Sequence, residues 1–529
     1  MVIKFIGVIC LLGLTTSLGL ADSTDTAMYF NSHVRDSPEC TASINSEGKV
    51  IYPATISNPA ATCPDTYSWA TFLDTIKARF WDQWGNDETV WIDTPKPACS
   101  SAEDTDCCFV EPNGAQQVGY RNSAGETVKP HNIGGFGNYC PYIPGDWGGA
   151  IETTFAGGKP GNSHNSTFLR TLDPGRVARQ GQVEVVYRND SFIRYTTQHE
   201  LYSKTGLSKL FARIAGEAKF AKPHRPSGQG ISYPTSAVMF KVAWIDVETM
   251  IELGYISDHD NDPTTPEQNS RYPYITQKIR ASDDDGKTYK EDLYYLVSIA
   301  ASTKALPNWH WFAFEHVGNL GRCDYIGCND SFGVLNPSTV HIASPDDPEK
   351  KIEISFNSNF ISPHTQDDAL NDDKSIFVLG KRYESGQISA SLAKLFNEAG
   401  IGNGNAPVDP EHPKITDIAW KSYRLKGTQT QFVNNDGTST LLGSSINEGG
   451  FVNSASCISC HAQASVNANG EIGVPGVGST GRLNIFGIDT AISGPPVTAD
   501  YYNRGTTRQL AVQTDFVWGI LFAQDTKNK

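Results

Sequence analysis

Cys457-Ile458-Ser459-Cys460-His461 places two thiols three positions apart, with an imidazole immediately after the second. That spacing suits thioether bonds from the two sulfurs to the two vinyl groups of a haem, and it sets His461 under the iron as the proximal ligand. A redox dithiol shares the Cys-x-x-Cys but leaves His461 unexplained, and Asn453-Ser454-Ala455-Ser456 brings no aromatic ahead of the first thiol. A zinc site needs a second ligand pair at ribbon or finger spacing. Outside the N-terminal region, Cys323 and Cys328 are the only other close pair. The expected cofactor is one covalent haem c.

Whether such an iron carries electrons or binds a substrate depends on its sixth ligand. The chain has four methionines, Met1, Met28, Met239 and Met250, and neither Met nor His follows His461. The segment from Trp309 to His316 is the expected source of distal groups. As a strand it sets His310, Phe312, Phe314 and His316 on one face and Trp309, Trp311, Ala313 and Glu315 on the other. The first face is aromatic with an imidazole at each end. The segment offers His316 or His310 as a distal ligand, and His316 and Glu315 as catalytic groups. An ordinary core strand with satisfied histidines is the plainer reading of the same pattern. Trp309 and Trp311 suit electron passage or simple burial.

The Cys457/Cys460/His461 motif resembles that of the cytochrome c family. The resemblance implies haem bound through both cysteines with His461 as an axial ligand, and it covers five residues. The chain departs from small class I members, in which a Met downstream of the motif supplies the sixth ligand. Its layout is similar to large monohaem proteins with the motif near the C-terminus. Those also carry a segment ending Phe-Glu-His, here Phe314-Glu315-His316, and a Lys-Gly-Thr-Gln-Thr stretch, here Lys426 to Thr430.

The elements that must position these groups read as α+β: a β-rich multi-domain body with short helices and a C-terminal haem-binding unit. Trp69, Phe72, Leu73, Ile76 and Phe80 share one face of a helix over 68–80. Strands are expected at 182–187, 237–245, 294–300, 309–316 and 422–432, and helices at 199–218 and 389–399, the latter capped by Gly400. A turn at Asn435-Asp436-Gly437 returns the chain through 439–442. A short helix should lead into the motif, and 515–522 should form a closing strand. The expected units are a Cys-rich region at 22–150 with disulfides, a central α+β domain at 151–400 and the haem c-binding unit at 401–529.

The first 21 residues have the layout of a signal peptide: Lys4, an apolar run from Phe5 to Leu14, and small residues ending at Ala21. The run is too short to span a bilayer, and no later segment reads as transmembrane. Of the eleven cysteines, Cys40, Cys63, Cys99, Cys107, Cys108, Cys140, Cys323 and Cys328 form an even set suited to disulfides in an exported chain. Adjacent Cys107 and Cys108 should take different partners. These features point to a periplasmic or secreted protein. Sequons at Asn165, Asn189 and Asn329 would permit glycosylation in a eukaryotic secretory route. The net charge of −15 disfavours nucleic acid as a partner. Asp258-His259-Asp260-Asn261-Asp262 and Asp283-Asp284-Asp285-Gly286 suggest Ca2+ loops but lack EF-hand spacing. The expected function is electron transfer through Fe(III)/Fe(II) with a redox partner protein. The alternatives are a haem-dependent peroxidase or oxygenase acting on a small-molecule substrate, and a haem-based sensor or binding module.

Overall fold

The computed structural model describes residues 39–91, 101–110, 118–128, 151–153, 181–217, 230–256, 272–281, 290–319, 336–343, 349–358, 390–404, 412–434, 437–448, 455–471 and 509–523, with a few isolated positions between. The segment expected as a signal peptide, the two acidic stretches expected to bind Ca2+ and the sequons at Asn165 and Asn329 lie largely or wholly outside these residues. Among the described residues, no helix is long and apolar enough to cross a membrane.

The body is a seven-stranded sheet between helical layers, an α+β arrangement. In chain order its strands are β1 (Ile151–Thr153), β2 (Gln182–Arg188), β3 (Val238–Asp246), β4 (Thr276–Ala281), β5 (Lys290–Thr303), β6 (His310–His316) and β7 (Tyr423–Gln429). The path runs β7-β6-β5-β3-β2, with β4 on the early half of β5 and β1 parallel to β4. The other pairings are antiparallel. At 14 residues, β5 is long enough to pair with β4 near its start and with β6 near its end.

On one face lie helices α1 (Pro64–Lys77) and α4 (Ala390–Glu398). Trp69, Phe72, Leu73 and Ile76 of α1 and Leu392, Leu395 and Phe396 of α4 meet Val183, Phe240, Val242, Phe312, Phe314 and Leu425 of the sheet. Phe72 stacks on Phe314 with ring centroids 4.3 Å apart. Pro64 at the first turn needs no amide partner, and the Asp36 carboxylate accepts the next two amides, Asp65 N–H at 2.8 Å and Thr66 N–H at 2.9 Å. Thr428 Oγ of β7 donates to Asp65 Oδ1 at 2.5 Å, which pins α1 across the sheet edge.

The opposite face is covered by α2 (Asp190–Gln198), α3 (Lys204–Glu217) and the C-terminal chain. Phe192, Leu207, Leu210, Trp309, Trp311, Ala313, Ile458, Ala462, Phe516 and Val517 form its core. All seven residues of β6 are therefore buried. Residues from each of the three expected units share one core, because β7, from 401–529, closes the sheet against β6.

Two element expectations change. The helix expected over 199–218 starts only at Lys204, as α3, because α2 has already ended at Gln198 and the intervening turn carries Glu200 at φ +55°. The closing strand expected over 515–522 is instead a turn followed by a 3-10 helix at Trp518–Phe522. Asp515 and Phe516 both adopt left-handed φ, +51° and +67°, which no strand accommodates. Elsewhere Cys40 bonds to Cys63 and Cys99 to Cys107. Cys108 and Cys328 are also disulfide-bonded, so Cys107 and Cys108 do take different partners.

Candidate haem attachment site

The motif itself forms α5 (Cys457–Ala462); no separate helix leads into it among the described residues. A six-residue helix has little intrinsic stability, so its ends must be held from outside. At the N-terminus, Gln429 of β7 accepts Ile458 N–H with Oε1 at 2.9 Å and donates Nε2–H to Ser456 Oγ at 2.9 Å. At the C-terminus, Trp518 Nε1–H donates to Cys460 O at 3.0 Å, and Gln513 Nε2–H donates to Ala462 O at 2.8 Å. Thr514 N–H donates to Ala464 O at 2.9 Å. The turn after α5 seats Gly470 against the start of α3. Its φ is +74°, and a Cβ there would run into the Lys204 carbonyl. Gly470→Ala is expected to cost about 1–3 kcal/mol, read as a lowered Tm.

Ile458, Ser459 and Ala462 are buried, whereas Cys457, Cys460 and His461 are half-buried. The last three are spaced i, i+3, i+4 and so share one face of the helix. Cys457 and Cys460 are the free cysteines among the described residues. Cys457 Sγ–H donates to Leu442 O at 3.3 Å. His461 Nδ1–H donates to Phe516 O at 2.8 Å, which leaves the Nε2 lone pair for a metal. The Trp311 ring lies against His461 at 4.4 Å between centroids.

The site is electrostatically mixed. On the sheet face beneath it, Lys241 of β3 pairs with Glu448 at 3.4 Å and with Glu184 at 3.6 Å. Burial raises the Cys457 thiol well above its ordinary pKa, with Glu448 adding to the shift and Lys241 opposing it. Burial likewise pushes Cys460 up to about 11. Both thiols stay protonated at neutral pH. Burial also lowers His461 to about 4, against the hydrogen bond to Phe516 O, so its imidazole is neutral. Among the described residues no three His, Cys, Asp or Glu side chains converge on one point suited to a metal ion, this trio included. The two sulfurs and the imidazole are thus not arranged as ligands of a single ion.

The structure does not bring His316 or His310 to the motif. Both lie on the α1 face of the sheet, behind β6. His316 Nδ1 accepts Gly318 N–H at 3.0 Å, its Nε2–H points to Pro273 O at 3.3 Å, and Tyr274 stacks on the ring at 3.5 Å. His310 has Nδ1 on Ala60 O at 3.2 Å and Nε2 on Ser68 Oγ at 3.0 Å. Burial holds both near a pKa of about 3. With both nitrogens engaged and the strand between, neither is placed as a distal ligand, and His316 is not placed as a catalytic base. Glu315 does face the motif side, but its carboxylate accepts Ser445 N–H at 2.5 Å and Ser445 Oγ–H at 2.9 Å. It orders the loop that carries Leu442 and Glu448. Met239 lies in the same core as Ile458 and Ala462, whereas Met250 belongs to a separate one.

Gln429, the Phe516 carbonyl and the Lys241–Glu448 pair are missed by a reading of the sequence. Only Gln429 carries a signal there, as part of the Lys-Gly-Thr-Gln-Thr stretch. Comparisons of the chain with protein-family models, with curated proteins and with solved structures found no match.

Proposed function

We propose that α5 carries one c-type haem, bonded through Cys457 and Cys460 with His461 as the axial ligand, and that the protein is an exported one-electron carrier. One observation supports this above the others. The two free thiols and the imidazole share the half-open face of a short helix, and Nδ1–H of that imidazole is held by a main-chain carbonyl. Metal-ligating histidines are oriented in this way by a partner on the second ring nitrogen. A redox dithiol would instead need a thiol of depressed pKa, and both thiols here are raised.

When bound, the haem supplies the Fe(III)/Fe(II) couple. The chain's own part is positional. Phe516 O fixes the tautomer and rotation of His461, Trp311 packs against the ring, and Gln429 and Trp518 hold the helix that sets the spacing of the sulfurs.

The test is expression with a c-type haem maturation system, followed by haem staining on a denaturing gel and mass analysis of the peptide spanning 457–461. The expected result is haem-linked peptide in the wild type and none in Cys457→Ala/Cys460→Ala. Unmodified peptide from exported wild-type protein would overturn the proposal. A ferric spectrum unchanged by cyanide supports the carrier; cyanide binding would move the reading to a haem-dependent oxidoreductase or sensor.

A further inference from the structure

At the end of the sheet beside α1, where β3 begins and β5 ends, a cleft of about 500 Å3 opens between α1, the strand at Val50–Ile51 and the start of α2. Its size is that of a small-molecule site. We propose that this cleft binds an organic cation: a protonated amine whose ammonium sits at Asp74 and whose apolar body lies against Tyr52, Tyr67 and Trp84.

The lining chemistry carries a sign. Asp74 and Asp190 contribute carboxylates, and among the described residues no Lys, Arg or His lines the cleft. Asp190 is already committed to Arg194, whose Nε lies 2.6 Å from both its oxygens. The Asp74 carboxylate takes no hydrogen bond or ion pair among the described residues. The cations that influence it are Lys77 and Lys49. Lys77 donates to the Gly48 carbonyl, and Lys49 pairs with Glu47 at 3.9 Å. Partial desolvation raises the Asp74 pKa, as expected of a carboxylate awaiting a counter-charge. Among the described residues the buried Tyr52 hydroxyl has no hydrogen-bond partner, and Asp36 and Asp74 both act on it. It can accept an ammonium N–H.

Other ligand classes fit less well. An anion meets only negative charge. A divalent metal ion requires several converging oxygens, and among the described residues no three acidic, His or Cys side chains gather to supply them. A neutral polyol would leave Asp74 without a counter-charge. Aromatic faces attract cations by their quadrupole, and three rings here accompany one free carboxylate.

The site stands apart from the haem proposal. Tyr67 meets His310 edge-on at 5.0 Å, and His310 lies on the face of β6 opposite to Trp311 and His461. Success or failure at one site leaves the other unaffected.

The test is calorimetric titration of the mature full-length protein with 2-phenylethylamine hydrochloride, 2-phenylethanol and glucose. The amine is expected to bind at least tenfold more tightly than the alcohol, and glucose to give no signal. Asp74→Asn should weaken the amine at least tenfold with an unchanged Tm, since the Asp74 side chain is exposed. Tyr52→Phe keeps the ring, removes the acceptor and should weaken the amine by a smaller factor. Absence of amine binding, equal binding of the alcohol, or amine binding that survives Asp74→Asn would each overturn the proposal.

Discussion

Replacing Lys304 by Met destabilises the folded protein by about 3–5 kcal/mol, the cost of leaving one partner of a buried ion pair alone. Lys304 Nζ lies 2.5 Å from Asp515 Oδ1, and both side chains are about 8% exposed. The ammonium also donates to Pro307 O at 2.7 Å and sits 5.5 Å from the Trp309 ring centroid. Asp515 Oδ2 meanwhile accepts Tyr233 N–H at 2.7 Å. Burial raises the Asp515 pKa, and Lys304 works against that shift. Without the ammonium, the carboxylate must either remain charged in the core or take up a proton. Urea denaturation of Lys304→Met and of Lys304→Met/Asp515→Asn separates the terms. The double variant removes the stranded charge, keeps an acceptor for Tyr233 N–H and should recover most of the loss. Equal midpoints for Lys304→Met and wild type would refute the assignment. The pair also fixes the turn that aims the Phe516 carbonyl, so the single variant should loosen His461 before the whole fold is lost.

Acidification is the second large effect. His310 and His316 are held near a pKa of about 3 by burial, against about 6.5 in an unfolded chain. The unfolded state therefore binds their protons first. Their contribution is complete above pH 6.5 and is lost as the pH falls toward 3. By pH 4 the two together remove about 7 kcal/mol. Asp36 acts in the opposite sense. Burial raises it from the ordinary 3.8 to about 6, so protonation of the folded state returns about 2 kcal/mol over the same interval. Asp246 and Asp515, also raised by burial, act with Asp36. The two histidines outweigh Asp36, a loss of a few kcal/mol between pH 7 and pH 4 that Asp246 and Asp515 reduce. His316→Asn should be less stable at pH 7 but show a flatter dependence of urea midpoint on pH. An unchanged slope in that variant would show that His316 is not the buried neutral group described here.

Much of the sheet is legible from period-2 alternation, and β6 shows both the power and the limit of that signal. The split of Trp309, Trp311 and Ala313 from His310, Phe312 and Phe314 is correct. Alternation sorts residues onto two faces but does not say which face meets the motif. Here both faces are covered, so hydrophobicity cannot choose between them either. The imidazoles looked chemically suited to a haem, yet His310 is claimed by Ala60 and Ser68, some 250 positions earlier in the chain, and His316 by Pro273 and Gly318. The 515–522 segment fails for a related reason. Its apolar run suits a strand, while its left-handed turn is tied to Lys304, 211 residues away. The i, i+3, i+4 spacing of Cys457, Cys460 and His461 is local and legible; the clamps of α5 come from β7 and the C-terminal chain, and non-local contacts leave little trace in sequence.

Because the acceptor for His461 belongs to the main chain of Phe516, exchanging that side chain does not delete it. The imidazole answers to the path of the polypeptide rather than to the identity of any one neighbour. Cutting the chain ahead of residue 509 would free the ring to rotate and exchange tautomers, whereas Phe516→Leu would leave the bond in place. The last described stretch of the chain thus sets the orientation of an imidazole more than fifty residues before it.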